Sequence, residues 1–388
     1  MSEWKEIPLS NTTSFIVDNR GRTAPIELDG IPLIATNCIS NNNLYPIYEN
    51  LRYVSEDTYK TWFRSHPEPG DIILTLKGSQ NGAVCLVPNP VNFVIAQDMV
   101  ALRVNENVIN RLFLFAALRS ADVQAQIKNL DVSGVIPHFK KSDFDKLLLP
   151  YPDRKVQDSI GQIYISLCNK IDLLHRQNTT IETLAETLFR QWFVEEAKED
   201  WETQPLSSIA NFLNGLACQK FLPKNDFDKL PVLKIKDLGS GITENSDWAS
   251  TDVKPEYIVK NGDVIFAWSA SLMVKIWNGE DCILNQHLFK VTSSDFPKWY
   301  YYLWCKYHLE EFLSIAASHA TTMGHIKRGD LDEAMVVVPS ENELKEMTLT
   351  IQPIMDKLIN NNKQIRTLIA LRDTLLPKLM SGEVRVEI

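Results

Sequence analysis

After Pro152 the chain settles into a regular apolar seam. Ile160, Leu167, Leu174, Ile181 and Leu188 recur every seven residues, with Ile163, Ile171 and Leu184 or Ala185 between them. A second seam runs through Ile351, Ile354, Leu358, Ile365, Leu368, Leu371 or Arg372, and Leu375. Heptad spacing predicts two helices of roughly 35 to 40 residues, about 55 Å long at 1.5 Å per residue. Neither can bury its seam alone, so Ile160, Leu167, Leu174, Ile181 and Leu188 are expected to pack against Ile351, Leu358, Ile365, Leu368 and Leu375. Ser340-Glu341-Asn342-Glu343 reads as a capping box, Asp153 as the matching cap of the first helix, and Gly382 as a C-terminal stop. Pro353 predicts a kink in the second helix, and Pro377 a bend or an end. The alternative is that both stripes pack only on a globular core.

Ahead of each helix the pattern changes to short apolar runs bounded by turn residues. Strands are expected at IPLIAT from Ile31, DIILTL from Asp71 and VIAQDMVALRV from Val94, and again at LPVLKI from Leu230, DVIFAW from Asp263 and HLFKVT from His287. A helical stretch follows each set, from Asn110 to about Leu130 and from Lys298 to about Ala317.

These sets are copies of one unit. HFKKSDFDKLLLPYP from His138 lies over HIKRGDLDEAMVVVP from His325 at a constant offset of 187, which continues without a gap until TLAETLF from Thr183 lies over ALRDTLL from Ala370. Upstream only anchors survive: Trp4, Pro8 and Leu9 answer Trp201, Pro205 and Leu206; Gly70-Asp71-Ile72-Ile73 answers Gly262-Asp263-Val264-Ile265; Gln97 answers Gln286. The boundaries that follow are residues 1–152 and 199–339 for two globular domains, with 153–198 and 340–388 for the helices. The class is α+β (mixed α/β). Because the order domain–helix repeats, an antiparallel coiled coil with a domain at each end and pseudo-two-fold symmetry closes most simply.

At 388 residues, two or three domains are expected, and 44% hydrophobic with 23% charged residues is the balance of a soluble globular protein. No run approaches the roughly 20 apolar residues of a membrane span, and MSEWKEIPLS lacks the features of a signal peptide, so a cytoplasmic protein with no membrane role is expected. The six cysteines form no C-x-x-C pair and read as reduced thiols. A net charge of −9 argues against a protein that coats nucleic acid by itself; any such role needs local basic patches or a partner.

Catalytic signatures are absent: there is no phosphate-binding G-x-x-x-x-G-K-[ST] loop, no G-x-G-x-x-G, H-E-x-x-H or G-x-S-x-G, and no methyltransferase N-P-P-[FYW] run. No cofactor or metal site is expected; Cys305 and His308 are half a metal site at most. Two repeated features suit binding. One is a small polar loop after a strand, with Lys77, Ser79, Gln80 and Asn81 in the first copy and Ser269 and Ser271 in the second. The other is a basic cluster at a short helix start, with His138, Lys140 and Lys141 answered by His325, Lys327 and Arg328, where backbone N–H groups favour an anion. An ordinary surface turn and a solvated charge cluster are the plain alternatives. Arg20 and Arg22 around Gly21, and Lys220 after Gly215, are weaker candidates of the same kind.

The duplicated order, the G-D-[IV]-[IL] strand with its small-residue loop, the H-x-K-[KR]-x-D-x-D repeat and the terminal LRDTLLPKLMSGEV from Leu371 together resemble the specificity subunit of type I restriction-modification systems. The resemblance spans essentially the whole chain. It implies two target-recognition domains, each reading one half of a split double-stranded DNA sequence, and helices that set the spacing and dock two methyltransferase subunits. Restriction (translocase-nuclease) subunits can join such a complex. Adenine methylation with S-adenosylmethionine is then chemistry of the partner, and this chain is not an enzyme. An asymmetric bipartite site with halves about one DNA turn apart, ~34 Å, suits two dissimilar readers on one scaffold. The competing readings are a coiled-coil adaptor whose two domains bind proteins, and a nuclease built on Asp143 with Asp145 and Asp330 with Asp332, carboxylates otherwise expected as helix-dipole partners.

Overall fold

The computed structural model describes residues 4–19, 23–130, 137–318 and 324–384. The chain divides into two compact units, Met1–Leu173 with Thr367–Ile388, and Leu174–Arg366. Each unit therefore holds one globular domain and a stretch of both long helices.

In the first unit, β1 (Thr13–Val17), β2 (Ile72–Thr75), β3 (Val84–Leu86) and β4 (Met99–Val104) form an antiparallel sheet in the order β1-β4-β2-β3. Both faces are covered, so the strands read as continuous apolar runs. Side chains alternate between faces. Ile72, Leu74, Val84, Leu86, Val100 and Leu102 enter the larger core with helices Arg111–Arg119 and Ala121–Asn129, while Ile73, Cys85, Met99 and Ala101 enter a smaller core behind the sheet. A second sheet sets Ile31–Ile34 between Arg52–Val54 and Val94–Ile95. The ends of the domain meet in an antiparallel pair, Lys5–Pro8 against Leu148–Tyr151.

The second unit repeats the scheme. β5 (Asn211–Asn214), β6 (Val264–Ala267), β7 (Met273–Ile276) and β8 (Leu288–Thr292) lie in the order β5-β8-β6-β7. Val264, Phe266, Phe289 and Val291 face the large core with Trp299, Tyr300 and Phe312, and Ile265, Ala267 and Leu288 face the small one. Here the second sheet has four strands, Trp248–Ser250, Lys229–Leu233, Cys282–Leu284 and Ile258–Val259. Glu202–Pro205 pairs with Met335–Val338 at the domain's ends.

The repeated G-D-[IV]-I string is a turn with an internal lock. Gly70 and Gly262 take φ of 87° and 92°, a region that favours glycine. Asp71 accepts the Glu68 N–H at 2.9 Å and Asp263 the Lys260 N–H at 2.8 Å. Each carboxylate then meets a cation from the neighbouring strand, Arg103 at 3.1 Å in one copy and Lys290 at 2.8 Å in the other.

The two seams form α1 (Arg154–Arg190) and α2 (Glu341–Met380). Their starts are capped as expected: the Val156 N–H donates to Asp153 at 3.0 Å, while the Ser340 N–H donates to Glu343 and the Glu343 N–H to Ser340 Oγ at 3.1 and 3.4 Å. Gly382 closes α2 at φ 72°, its N–H on the Leu379 carbonyl. Pro377 does not end the helix, and α2 runs unbroken through Pro353, which sits on the exposed side, where water can replace the lost hydrogen bond.

The buried stripe is wider than a heptad seam. Within the first unit, Ile160, Tyr164, Ile165 and Cys168 of α1 join Leu376, Leu379 and Met380 of α2 in the domain core, while Leu167 and Leu375 are half-buried. Within the second, Ala185 and Phe189 join Ile351, Met355 and Leu358; Leu174 and Ile365 are buried, while Ile181 and Leu188 are half-buried, as is Leu368 of the first unit. Each stretch packs on its own domain as well as on the other helix, so steps of three and four replace strict sevens. Three asparagines interrupt the second stretch: Asn178 Nδ2 donates to Asn362 Oδ1 at 2.8 Å, and Asn361 Nδ2 to Asn178 Oδ1 at 2.9 Å, with Asn361 fully buried. A polar group in an apolar seam penalises any shifted register.

Candidate nucleic-acid interface

The two binding features picked out along the chain are brought together in both copies. In the first, Lys77 forms an isolated bridge with His138; in the second, Ser269 does so with His325. The hydrogen bonds around each bridge correspond: Phe139 N–H to Leu76 O at 2.9 Å and Gly78 N–H to Pro137 O at 3.0 Å, against Ile326 N–H to Trp268 O at 3.1 Å and Ala270 N–H to Gly324 O at 2.8 Å. Phe139 and Ile326 are buried beneath the bridges. The rest of the H-x-K-[KR]-x-D-x-D string is a latch. Asp145 and Asp332 accept hydrogen bonds from Ser10 and Ser207, holding the domain's entry segment. Asp330 takes the Lys327 N–H at 2.6 Å, and Asp143 holds Lys146 at 2.9 Å. The turn in the second copy is thus capped from inside, which leaves less of the N–H capacity expected for a bound anion.

Each domain carries an open cavity. The first, about 760 Å³, is lined by Thr23, Lys77, Gln97, Asp98, His138 and Lys140, among others. The second, about 640 Å³, is lined by Leu222, Lys234, Lys236, Trp248, Gln286 and His287, among others. Cations at their edges are held by acids: Lys141 by Asp18 at 2.8 Å, and Lys234 by Asp247, whose pKa the hydrogen bond from Lys234 lowers.

Among the individual candidates, Lys77, Ser79, Gln80 and Lys140 are exposed beside the first bridge, whereas Asn81 is half-buried with an unpartnered Oδ1. In the second copy Ser271, Lys220 and Lys327 are exposed. Ser269 is buried, its Oγ 3.2 Å from His287 Nδ1, and Arg328 donates to the Phe212 carbonyl at 3.4 Å. Arg20 and Arg22 lie outside the described residues. Cys305 is fully buried, and both ring nitrogens of His308 are engaged, by Glu311 and by the Met335 carbonyl, each at 3.0 Å. Among the described residues no cluster of metal-ligating side chains occurs, and no helix is long and apolar enough to cross a membrane.

Two separate segments, residues 26–183 and 198–370, match the type I restriction modification DNA specificity domain. The chain belongs to this specificity family. The type I restriction enzyme MjaIX specificity subunit of Methanocaldococcus jannaschii is 25% identical over 385 residues, covering 92% of this chain and 87% of that one. The type I restriction enzyme HindI specificity subunit of Haemophilus influenzae is 20% identical over 470 residues, covering 99% and 100%. The crystal structure of the type I restriction-modification S subunit from M. genitalium shares the fold, with a TM-score of 0.58 at 15% identity over 97% of this chain and 96% of that one.

Within this type I specificity chain, one repeated feature escaped the sequence reading. Leu28 and Phe227 are large apolar side chains left 99% and 100% exposed, at equivalent places just before the strands Ile31–Ile34 and Lys229–Leu233. The signal was present as Glu27-Leu28-Asp29 over Asp226-Phe227-Asp228, but its offset is 199 rather than 187, which hides it from an alignment anchored downstream.

Proposed function

We propose that this chain is the DNA-reading subunit of a type I restriction-modification complex. Each globular domain takes one half of a bipartite double-stranded target, and α1 and α2 hold the spacing and dock two methyltransferase subunits. Adenine methylation, with S-adenosylmethionine, belongs to those partners, and restriction subunits add cleavage. The observation that carries the reading is the bridge between the small-residue loop and the His-Lys segment, built on the same backbone in both copies but furnished with different side chains. One scaffold with two dissimilar faces suits two dissimilar half-sites. With a net charge of −9 the chain supplies little non-specific affinity, so basic partner surfaces contribute much of it.

The test is co-expression with the methyltransferase subunit of the same system, followed by mapping of methylated bases on random DNA. A split motif with two short specific halves and an unspecified spacer is expected. A stable complex that leaves DNA unmethylated, or no complex, favours the protein adaptor.

A further inference from the structure

Two pairs of equivalent positions line the two cavities: Gln97 with Gln286, and Asp98 with His287. Only the glutamine is the same in both. The turn that carries it is clamped identically. The Ala96 N–H donates to the Ile34 carbonyl at 2.9 Å, and the Asn285 N–H to the Leu233 carbonyl at 3.3 Å. On the other side, the Leu76 N–H reaches the Asp98 carbonyl at 2.9 Å and the Trp268 N–H the His287 carbonyl at 3.5 Å. Both glutamines are half-buried, so their backbones are fixed while their amides face the cavity.

Those amides are unspent. Among the described residues Gln97 has no side-chain hydrogen bond, and Gln286 has one contact, its Nε2 lying 3.4 Å from His287 Nε2. A carboxamide offers one donor face and one acceptor side by side, which matches the N6 amino group and N7 of adenine in the major groove. A side chain common to two otherwise different linings serves what the two half-sites have in common, and side chains that differ serve what distinguishes them.

We infer that Gln97 and Gln286 each read an adenine, one in each half of the target, while Lys77 and Asp98 in one cavity and His287 in the other read the bases that differ. This rests on the DNA-reading function proposed above.

The experiment maps methylation by the co-expressed complex carrying Gln97→Ala, Gln286→Ala or Gln97→Glu, with melting temperatures recorded for each. The wild type is expected to show, in both halves, an adenine base pair besides the methylated one. Gln97→Ala should relax one position of one half about ten- to hundredfold, and Gln286→Ala one position of the other half, with all remaining positions unchanged. Gln97→Glu should move the preference at its position from adenine to cytosine, because a carboxylate accepts from the cytosine N4 amino group and donates nothing. Wild-type halves with no adenine base pair besides the methylated one, motifs unchanged in both alanine variants, or a normally melting variant that blurs several positions each overturn the assignment while leaving DNA reading intact. A wild-type complex that yields no split motif overturns the underlying function, and the glutamine assignment with it.

Discussion

The first domain furnishes its cavity with Lys77, Asp98 and a Lys141–Asp18 ion pair, whereas the second places Trp248, His287 and a Lys234–Asp247 pair around its own. Beneath these linings the strand order, the aspartate-locked turn, the serine-to-aspartate latch and the clamped glutamine are the same. Positions that hold the backbone are shared and, the glutamine apart, positions that face the cavities diverge. Substitutions at shared positions should therefore act alike in kind and differ in size with local burial.

The largest difference is expected in the cores. Trp299 is fully buried, while Leu112, at the corresponding place in the first domain, is half-buried. Trp299→Ala should cost about 3–5 kcal/mol, against about 1–2 kcal/mol for Leu112→Ala. Hydrogen exchange should show the second domain opening first in the tryptophan variant; equal opening in both domains would break the comparison.

Next come the locked turns. Asp71 is 4% exposed and pairs with Arg103, whereas Asp263 is 22% exposed and pairs with Lys290. Asp71→Ala should cost about 2 kcal/mol and Asp263→Ala about 1 kcal/mol by denaturant unfolding, since water screens the more exposed carboxylate. A reversed order would show that burial does not set the strength of this lock.

The start of α2 carries a pH response. Hydrogen bonds from Lys198, and then Ser340, hold Glu343 down to about 2, from its ordinary 4.5. A lowered pKa gives stability that is present above 4.5 and lost as pH falls toward 2. The stability gap between wild type and Glu343→Gln should therefore be full at neutral pH and vanish by about pH 2; a gap that persists there would refute the cause. Ser340→Ala should cost about 1 kcal/mol, and Asp153→Ala a similar amount in the first helix.

The smallest effect tests the loops. Gly78 has φ 91°, and its counterpart Ala270 has φ 58°. Nothing lies within 4 Å of a Cβ placed on Gly78, so Gly78→Ala should cost only the left-handed backbone, about 1 kcal/mol, and Ala270→Gly should recover a similar amount. Melting curves of the reciprocal pair would show it.

Much of this was legible in the chain. The constant offset of 187 announced the duplication, and Ser340, Glu343, Asp153 and Gly382 marked the helix ends through local hydrogen bonding that depends only on neighbours. The seam was legible in outline: Ile160, Leu174, Ile351, Leu358 and Ile365 are buried, but Leu167 and Leu188 yield depth to Tyr164, Cys168 and Phe189 because the globular domains cover a second flank of each helix. The union of Lys77 with His138 and of Ser269 with His325 was not legible, since each crosses more than fifty residues of intervening chain. Nor could the sequence tell that Ser269 turns inward while Lys77 stays exposed.

Both domains begin and end in a two-stranded clasp, Lys5–Pro8 on Leu148–Tyr151 and Glu202–Pro205 on Met335–Val338. The polypeptide enters and leaves each domain side by side, the arrangement in which whole domains are most readily inserted or exchanged. A genetic crossover at the clasps replaces one reading head with its own closure, set on helix stretches that complete its core. New targets can then arise by shuffling finished halves, without the unstable intermediates that loop-by-loop mutation would have to cross.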